Sequence, residues 1–600
     1  MKPLFTSARR NAALTLLATL LTAPAALAAD ASCPLWAESN TAAYQLGDVV
    51  SYNGSTYTAL QSHTPFVGTN WNPALVASLW QAGGACSVAP TCDKPGSVAL
   101  VVDSAFATPL AAELVRLAAD IQAEQNVCVH QLAITPNSSA PLVKARLKAL
   151  APKLRGAILI GDIPAVQEGD ASVDGASYPA LLSDAYYEVL SDAFWNDPDG
   201  NGIFNRSADV DGNGQRGLRY DLSSLARTRD IWTGRLQPPA ALGIAERISL
   251  LRSYLDRNHA YRTGSKHYGS GMVYFNSVGH NTLSSDYEID QATNLADAQA
   301  FYADTGLFAA PASTGLNVIW NNDMAMQAAN WFSAINQPKE YAYINIHGAA
   351  NGQEFSPTVY MGSDAYRNNP ANALLVDMAS CNNGMFSAAD YLAGYALFYG
   401  QALAVRANTD LVFQVGRPGA GLDHRLLAAG YTLGDARRIT NPIDITTLFG
   451  DPTLRLRQPT TAATLLTLSS SEMQFPDLST SSLPAAPSQT VTLTNTSSQV
   501  MRVYRAEGQY TAWNGQGTLN RSIMQDNGYS QGIDPFFLLD LRNADALYAT
   551  LQPGQSVPIK VYFVANFANA KPGQYSWQQQ FYTDSPAMPL ITVKAVQRVL

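Results

Sequence analysis

Charge is scarce in this sequence. Asp, Glu, Lys and Arg make up 14 % of its 600 residues, where soluble domains average about 25 %. The 38 basic and 47 acidic side chains leave a net charge of −9 and are spread along the chain. No basic tract is long enough to follow a phosphate backbone, so nucleic acid is a poor partner. Histidine numbers only seven, with no pair at the spacing a zinc site needs. Long apolar runs are missing beyond the N-terminus, so nothing reads as a transmembrane helix. Hydrophobic residues are plentiful at 47 %, which excludes a wholly disordered chain. At roughly 150 residues per domain, the length suggests several domains.

The first 29 residues read as an export signal. Lys2, Arg9 and Arg10 form a positive n-region, 12–21 is apolar but too short to span a bilayer, and Ala26-Leu27-Ala28 gives a small-x-small cleavage pattern. The expected product is secreted, where paired cysteines are the rule. Of the five, Cys33 and Cys86 bracket one segment, Cys92 and Cys128 bracket the next, and Cys381 stands far from the rest. Two disulfides and one free thiol are the simplest solution.

Composition and pattern divide the mature chain at 30–90, 91–459 and 460–600. Within the first division, Val49-Val50-Ser51-Tyr52 and Thr56-Tyr57-Thr58-Ala59 flank Asn53-Gly54, a strong hairpin signal. So small an all-β unit needs a staple, for which Cys33–Cys86 would serve. It also carries more aromatics than its interior can hold, and exposed rings at this density suit stacking on sugars. The second division alternates apolar runs (98–103, 157–160, 272–275, 341–346, 373–377, 411–415) with helical patterns (108–125, 241–258, 292–303, 324–335, 387–404). That is an α/β domain whose mostly parallel sheet has helices on both faces, with its site at strand carboxyl ends. The third has short β-rich runs punctuated by Pro553-Gly554 and Pro572-Gly573, and reads as an Ig-like β-sandwich.

Chemistry gathers at two strand ends. One gives Ile344-Asn345-Ile346-His347-Gly348 and the other Ala379-Ser380-Cys381-Asn382-Asn383-Gly384. As parallel neighbours, these strands would project His347 and Cys381 side by side. A thiolate is the nucleophile for acyl transfer, and imidazole can activate it and protonate the leaving amine. The N–H groups of Gly348 and Cys381 would form the oxyanion hole. Elsewhere, Asp197, Asp199 and Asn201, repeated as Asp209, Asp211 and Asn213, place oxygens at positions 1, 3 and 5 ahead of a glycine. That is Ca²⁺-loop chemistry, although neither repeat has Glu at position 12. A structural Ca²⁺ is the expected cofactor, with Asp192 and Asp221 available to complete the shell.

Two resemblances follow from these motifs. The pattern from Ala43-Tyr44 through Gly47-Asp48, Tyr52-Asn53-Gly54 and Asn70-Trp71 to Leu79-Trp80 and Cys86 resembles the chitin-binding module of bacterial chitinases. That resemblance implies binding of chitin or a related polysaccharide through exposed rings, with Trp71, Trp80 and Tyr57 as candidates. The strand ending His347-Gly348, the strand ending Ser380-Cys381 with Gly384-Met385-Phe386, and the stretches Asp230 to Leu236 and Leu448 to Leu454 resemble gingipain-type cysteine peptidases, which have a caspase-like fold. The resemblance spans roughly 95–460 and implies a cysteine endopeptidase with a Cys381/His347 dyad, an acyl-enzyme and protein or peptide substrates. Asp286 is a candidate for the S1 pocket, as acidic residues occupy that place in arginine-specific members. No third catalytic residue is assigned, with Glu288 and Asp323 only nominees. The Asn382-Asn383 insertion departs from the expected loop. Two other readings stay open: a non-catalytic chitin-binding adhesin with an inactive peptidase-like domain, and a chitin-binding accessory protein acting on something other than peptides.

Overall fold

The computed structural model describes residues 36, 38–39, 43–52, 55–85, 92–134, 138–168, 181–190, 195–196, 202–206, 229–277, 291–320, 324–356, 358–411, 422–440, 446–457, 466–482, 485–505, 509–512, 521–522, 536–539, 547–564, 572–583, 588 and 590–600. The export signal, Cys33, Cys86, Asp286, Glu288, Asp323 and the whole set of calcium-loop residues lie outside them.

The N-terminal unit is a small all-β module. Strands Val49–Tyr52, Ser55–Ala59 and Trp80–Ala85 form one antiparallel sheet, with Tyr52 opposite Ser55 across the expected hairpin. Among the described residues its core is Val50, Ala59, Leu79 and Trp80, with Trp36, Tyr44, Tyr57 and Val76 packed at the margin. A core this small leaves little apolar surface to bury, so one large ring dominates it. That ring is Trp80, 2 % exposed and edge-on to Tyr44 and His63 at 5.0 and 4.8 Å between centroids.

The central domain is a ten-stranded mixed sheet with helices. In chain order its strands are β1 Ser97–Asp103, β2 Cys128–Ile134, β3 Leu154–Ile160, β4 Trp232–Leu236, β5 Met272–Asn276, β6 Leu316–Ile319, β7 Lys339–Asn345, β8 Ala373–Met378, β9 Ala404–Asn408 and β10 Thr446–Gly450. Across the sheet they run β6-β5-β7-β8-β9-β10-β4-β3-β1-β2. Every neighbouring pair is parallel except β9 with β10. The sheet therefore joins two parallel sets running in opposite senses, whose carboxyl ends face opposite ends of the sheet. Strands such as β1 and β5 are buried along their whole length, as continuous apolar runs covered on both faces should be. Cys92 and Cys128 form a disulfide beside the start of β2, and Cys381 carries a thiol.

Helices Ala111–Gln125, Ile244–Arg262, Gln291–Thr305 and Met324–Ile335 fall where the apolar spacing placed them. One expectation is corrected. The helical pattern over 387–404 yields a helix only over Leu392–Phe398, followed by strand β9; of the expected run at 411–415, residues 412–415 lie outside the described residues. Just beyond its end, Gly400 lets the chain pass close to neighbouring backbone. A Cβ there would meet the carbonyl oxygens of Ala396 and Ala371 at 2.4 and 2.8 Å.

Beyond the sheet lie two packed β-layers. Leu466–Leu468, Ser488–Asn495, Ser556–Val564 and Phe536–Leu539 make one, and Gly573–Thr583 with Leu590–Val599 is the spine of the other. Leu493, Ile559, Val561 and Phe563 face Val503, Phe581, Ile591 and Val593 in a shared core. Tyr504 and Tyr582 join the core of the central domain, and Tyr431 donates from its hydroxyl to the Thr583 carbonyl at 2.9 Å.

Candidate active site

Strand register brings the two candidate reactive residues together. β7 and β8 are parallel, and Ile344 pairs with Met378 at their carboxyl ends. His347 and Cys381 each follow three positions after that pair, so they leave the sheet at matched height. The two chains stay joined beyond the ladder, because Ala379 N–H donates to the Ile344 carbonyl at 2.9 Å and Ile346 N–H to the Ser380 hydroxyl at 3.4 Å. Both His347 and Cys381 are half-buried. That exposure suits a site that must admit a substrate.

Gly348 explains the His-Gly pairing in physical terms. A Cβ at position 348 would stand 2.5 Å from the Cys381 carbonyl oxygen, 2.8 Å from Asn383 Nδ2 and 2.9 Å from Ser380 Cβ. Only glycine lets the backbone after the histidine lie directly against the cysteine loop. From His347 the chain enters a small antiparallel sheet of His347–Ala349, Gly352–Ser356 and Val359–Gly362, in which Gly348 faces Gln353. With helix Ser363–Asn368, this sheet forms the crossover to β8.

The cysteine loop is shaped by its asparagines and glycine. Asn382 adopts a left-handed conformation with φ of 57°, which asparagine tolerates better than most residues. Its N–H donates to the Asp410 carbonyl at 3.1 Å. Asn383 is fully buried and hydrogen-bonded to the histidine hairpin. Gly384 lies against β9, donating to the Asn408 carbonyl at 2.8 Å where a Cβ would strike the Ala407 carbonyl oxygen at 2.6 Å. Phe386 then packs its ring on the Arg235 guanidinium, 4.0 Å from carbon to centroid.

Buried charges brace the strands on either side. Arg235 is held by Asp184, Nε to Oδ2 at 3.0 Å and Nη2 to Oδ1 at 2.5 Å. Burial alone would lower its pKa, but the Asp184 carboxylate holds it above the ordinary arginine value. Beneath His347 and Cys381, Arg406 on β9 contacts Asp377 on β8, Asp423, the Tyr341 hydroxyl and His424 Nε2. Burial favours protonation of Asp423, yet His424 and Arg406 hold its pKa well below the usual carboxylate range.

Among the other nominees, Trp71 is 38 % exposed, and its loop is tied down by the Glu38 carboxylate, which accepts from Gly68 and Asn70 N–H groups at 2.8 and 2.5 Å. Tyr57 is half-buried against the module core. Trp80 is a correction. Its ring fills that core and its Nε1 donates to the Trp71 carbonyl at 3.3 Å, so it has no face to offer a sugar. Asn383 and Gln353 are the residues that sequence reasoning missed. Asn383 entered only as part of an unexpected spacer, and Gln353 carries no local signal.

Residues 36–81 match the family model for carbohydrate-binding module family 5/12. The chain therefore carries an N-terminal carbohydrate-binding module, which supports polysaccharide binding. No curated protein matches the chain. Among solved structures, the PapD-like domain of human CEP192 is 10 % identical over 24 % of this chain and 94 % of its own, with a TM-score of 0.17. A family 123 glycoside hydrolase from Clostridium perfringens is 11 % identical over 24 % of this chain and 27 % of its own, also at 0.17. The secreted serine protease VesC from Vibrio cholerae is 12 % identical over 22 % and 23 %, at 0.14. Similarity at this level identifies neither a fold for the whole chain nor an activity. No helix among the described residues is long and apolar enough to cross a membrane.

Proposed function

We propose that this chain is an exported, gingipain-type cysteine endopeptidase held on chitin-like polysaccharide by its N-terminal module. In this reading the central domain is caspase-like and the C-terminal sandwich Ig-like. The observation that carries it is the matched exit of His347 and Cys381 from paired strands, with Gly348 packed against the Cys381 carbonyl. His347 takes the thiol proton as Cys381 Sγ attacks the scissile carbonyl carbon. The N–H groups of Gly348 and Cys381 stabilise the resulting oxyanion. As the intermediate collapses, the C–N bond breaks, His347 protonates the leaving amine and an acyl-enzyme thioester remains. Water, deprotonated by His347, then releases the acid and restores the thiol.

Within the module, the exposed Trp71 ring stacks on pyranose faces, with Tyr57 as a further candidate. The two Asp/Asn repeats at 197–201 and 209–213 would hold structural Ca²⁺, a reading that rests on their oxygen-donor spacing alone.

The test is paired. The wild type is expected to take up one equivalent of iodoacetamide at Cys381 and to cleave members of a peptide library. Cys381→Ala and His347→Ala should each reduce cleavage by at least about 1,000-fold while leaving thermal unfolding in place. Labelling without cleavage of any peptide would instead favour an inactive, polysaccharide-bound adhesin.

A further inference from the structure

Gly348 and Cys381 belong to different segments, and their spacing must be fixed for two N–H groups to converge on one oxygen. We infer that Asn383 is the positioning residue that sets this spacing, an inference that rests on the peptidase reading above. Asn383 is two residues beyond the thiol and 0 % exposed. Its Nδ2 donates to the carbonyls of Ala349 and Gly352 at 2.8 and 3.0 Å, one on each strand of the histidine hairpin. Both N–H groups of the amide are thus used. Its Oδ1 accepts from Gln353 Nε2 at 2.8 Å, and its backbone carbonyl accepts from Ala393 N–H at 3.0 Å.

The chain of bonds continues away from the site. Gln353 Oε1 accepts from the Tyr366 hydroxyl at 2.9 Å, and that oxygen accepts from Trp331 Nε1 at 3.2 Å. Gln353, Tyr366 and Trp331 are each 0 % exposed. Every member is neutral, so the network orients both donor segments without placing a fixed charge beside thiol and imidazole. A buried network with all its links made is rigid, and loss of one link is felt along it. Asparagine fits because one short side chain supplies two donors and an acceptor. Aspartate has the same shape but no donors.

Two variants test this: Asn383→Asp, and Tyr366→Phe, which removes one hydroxyl at the far side of Gln353. Each is assayed for kcat and KM on a peptide that the wild type cleaves, for inhibition by the matching peptide aldehyde, and for the rate of iodoacetamide alkylation. The aldehyde adduct carries a tetrahedral oxygen in the oxyanion position, whereas alkylation forms no oxyanion. Asn383→Asp should lower kcat by about 10- to 100-fold, less than loss of an oxyanion donor itself, and weaken the aldehyde in parallel. KM should stay within about threefold of the wild type, and the alkylation rate of Tyr366→Phe, which adds no charge near the thiol, should not change. Tyr366→Phe should show the same signature at about threefold, and it carries the test if Asn383→Asp does not fold. The inference is overturned if kcat is unchanged in the folded variants, or if alkylation of Tyr366→Phe falls in step with its kcat. A wild type that neither cleaves nor labels overturns the peptidase reading itself, and this inference with it.

Discussion

The two parallel sets of the central sheet end in different chemistry. At the carboxyl ends of β3 and β4, charges are closed into ion pairs: Asp162 takes both terminal nitrogens of Arg247, and Arg235 is clamped by Asp184 while its Nη1 reaches the Ile163 carbonyl and Gln237. At the ends of β7 and β8 the holding bonds come from amides and hydroxyls, namely Asn383, Gln353, Ser380 and Tyr366. The first arrangement gives fixed geometry without reactivity, because each charge is committed to a partner. The second ties the loops that carry an imidazole and a thiol through neutral groups, above the Arg406–Asp377–Asp423 cluster and with Glu354 opposite His347. Arg235 joins the two, since the loop leaving Cys381 rests its Phe386 ring on that guanidinium.

Breaking the charged end should have the largest effect, and on stability. Arg235→Ala removes one partner of a fully buried pair and strands Asp184, a class of change that costs about 3–5 kcal/mol. Urea unfolding should register that loss, whereas Cys381→Ala should leave the same transition nearly unmoved. If Arg235→Ala instead abolished cleavage with no loss of stability, the division between a bracing end and a reacting end would be wrong.

Next in size is Gly348→Ala at the neutral end. The new methyl group would need the space beside the Cys381 carbonyl oxygen, 2.5 Å away, so one segment must shift. A displacement near 1 Å at a catalytic pair costs about 100-fold in kcat/KM. Steady-state kinetics should find that loss, with much less change in unfolding than in Arg235→Ala.

A milder test sharpens the same contrast in the carbohydrate-binding module. There the Glu38 carboxylate is the fixed brace, and the Trp71 ring is the exposed working group. Trp71→Ala should weaken retention on insoluble chitin by about tenfold, the scale of one aromatic anchor, without unfolding the module. Trp80→Ala should unfold it, because that ring is the largest part of the core that the described residues form.

How much of this was legible follows from what kind of information each feature uses. β1, β7 and β8 were readable because continuous apolar runs buried on both faces are local signals, and the His347 and Cys381 termini were readable as residue types that chemistry needs. β2, β4, β6, β9 and β10 were not singled out as strands: their residues gain meaning only from pairing across the sheet. Trp80 was misjudged for a related reason. A tryptophan at a strand end looks the same whether its ring faces outward or fills a core, and only packing against Tyr44 and His63 decides it. Asn383 and Gln353 meet across an intervening hairpin and crossover, so no spacing rule could join them. The calcium repeats lie outside the described residues.

The smallest expected effect concerns a buried charge where the module meets the central domain. Asp48 is 0 % exposed, accepts from Gln45 N–H at 2.8 Å, and faces Ser139, the N-cap of helix Ala140–Ala149, and Arg146. Burial pushes its pKa up to about 6 from the ordinary 3.8, with the Gln45 and Ser139 hydrogen bonds and Arg146 only moderating the rise. Between those two values the folded chain keeps a proton that the unfolded chain has released, so this group's contribution to stability declines as pH rises through the window and is flat above it. An asparagine side chain in its place has nothing to ionise. Asp48→Asn should therefore match the wild type near pH 4 and exceed it at pH 7.5, by about 4–8 °C in the module's unfolding transition, the scale of about 1 kcal/mol in so small a domain. Scanning calorimetry of both chains at the two pH values reads the difference directly. An advantage of equal size at both would mean that Asp48 does not titrate between them in the folded chain. The junction would then resemble the closed ion pairs at the ends of β3 and β4 rather than standing apart from them.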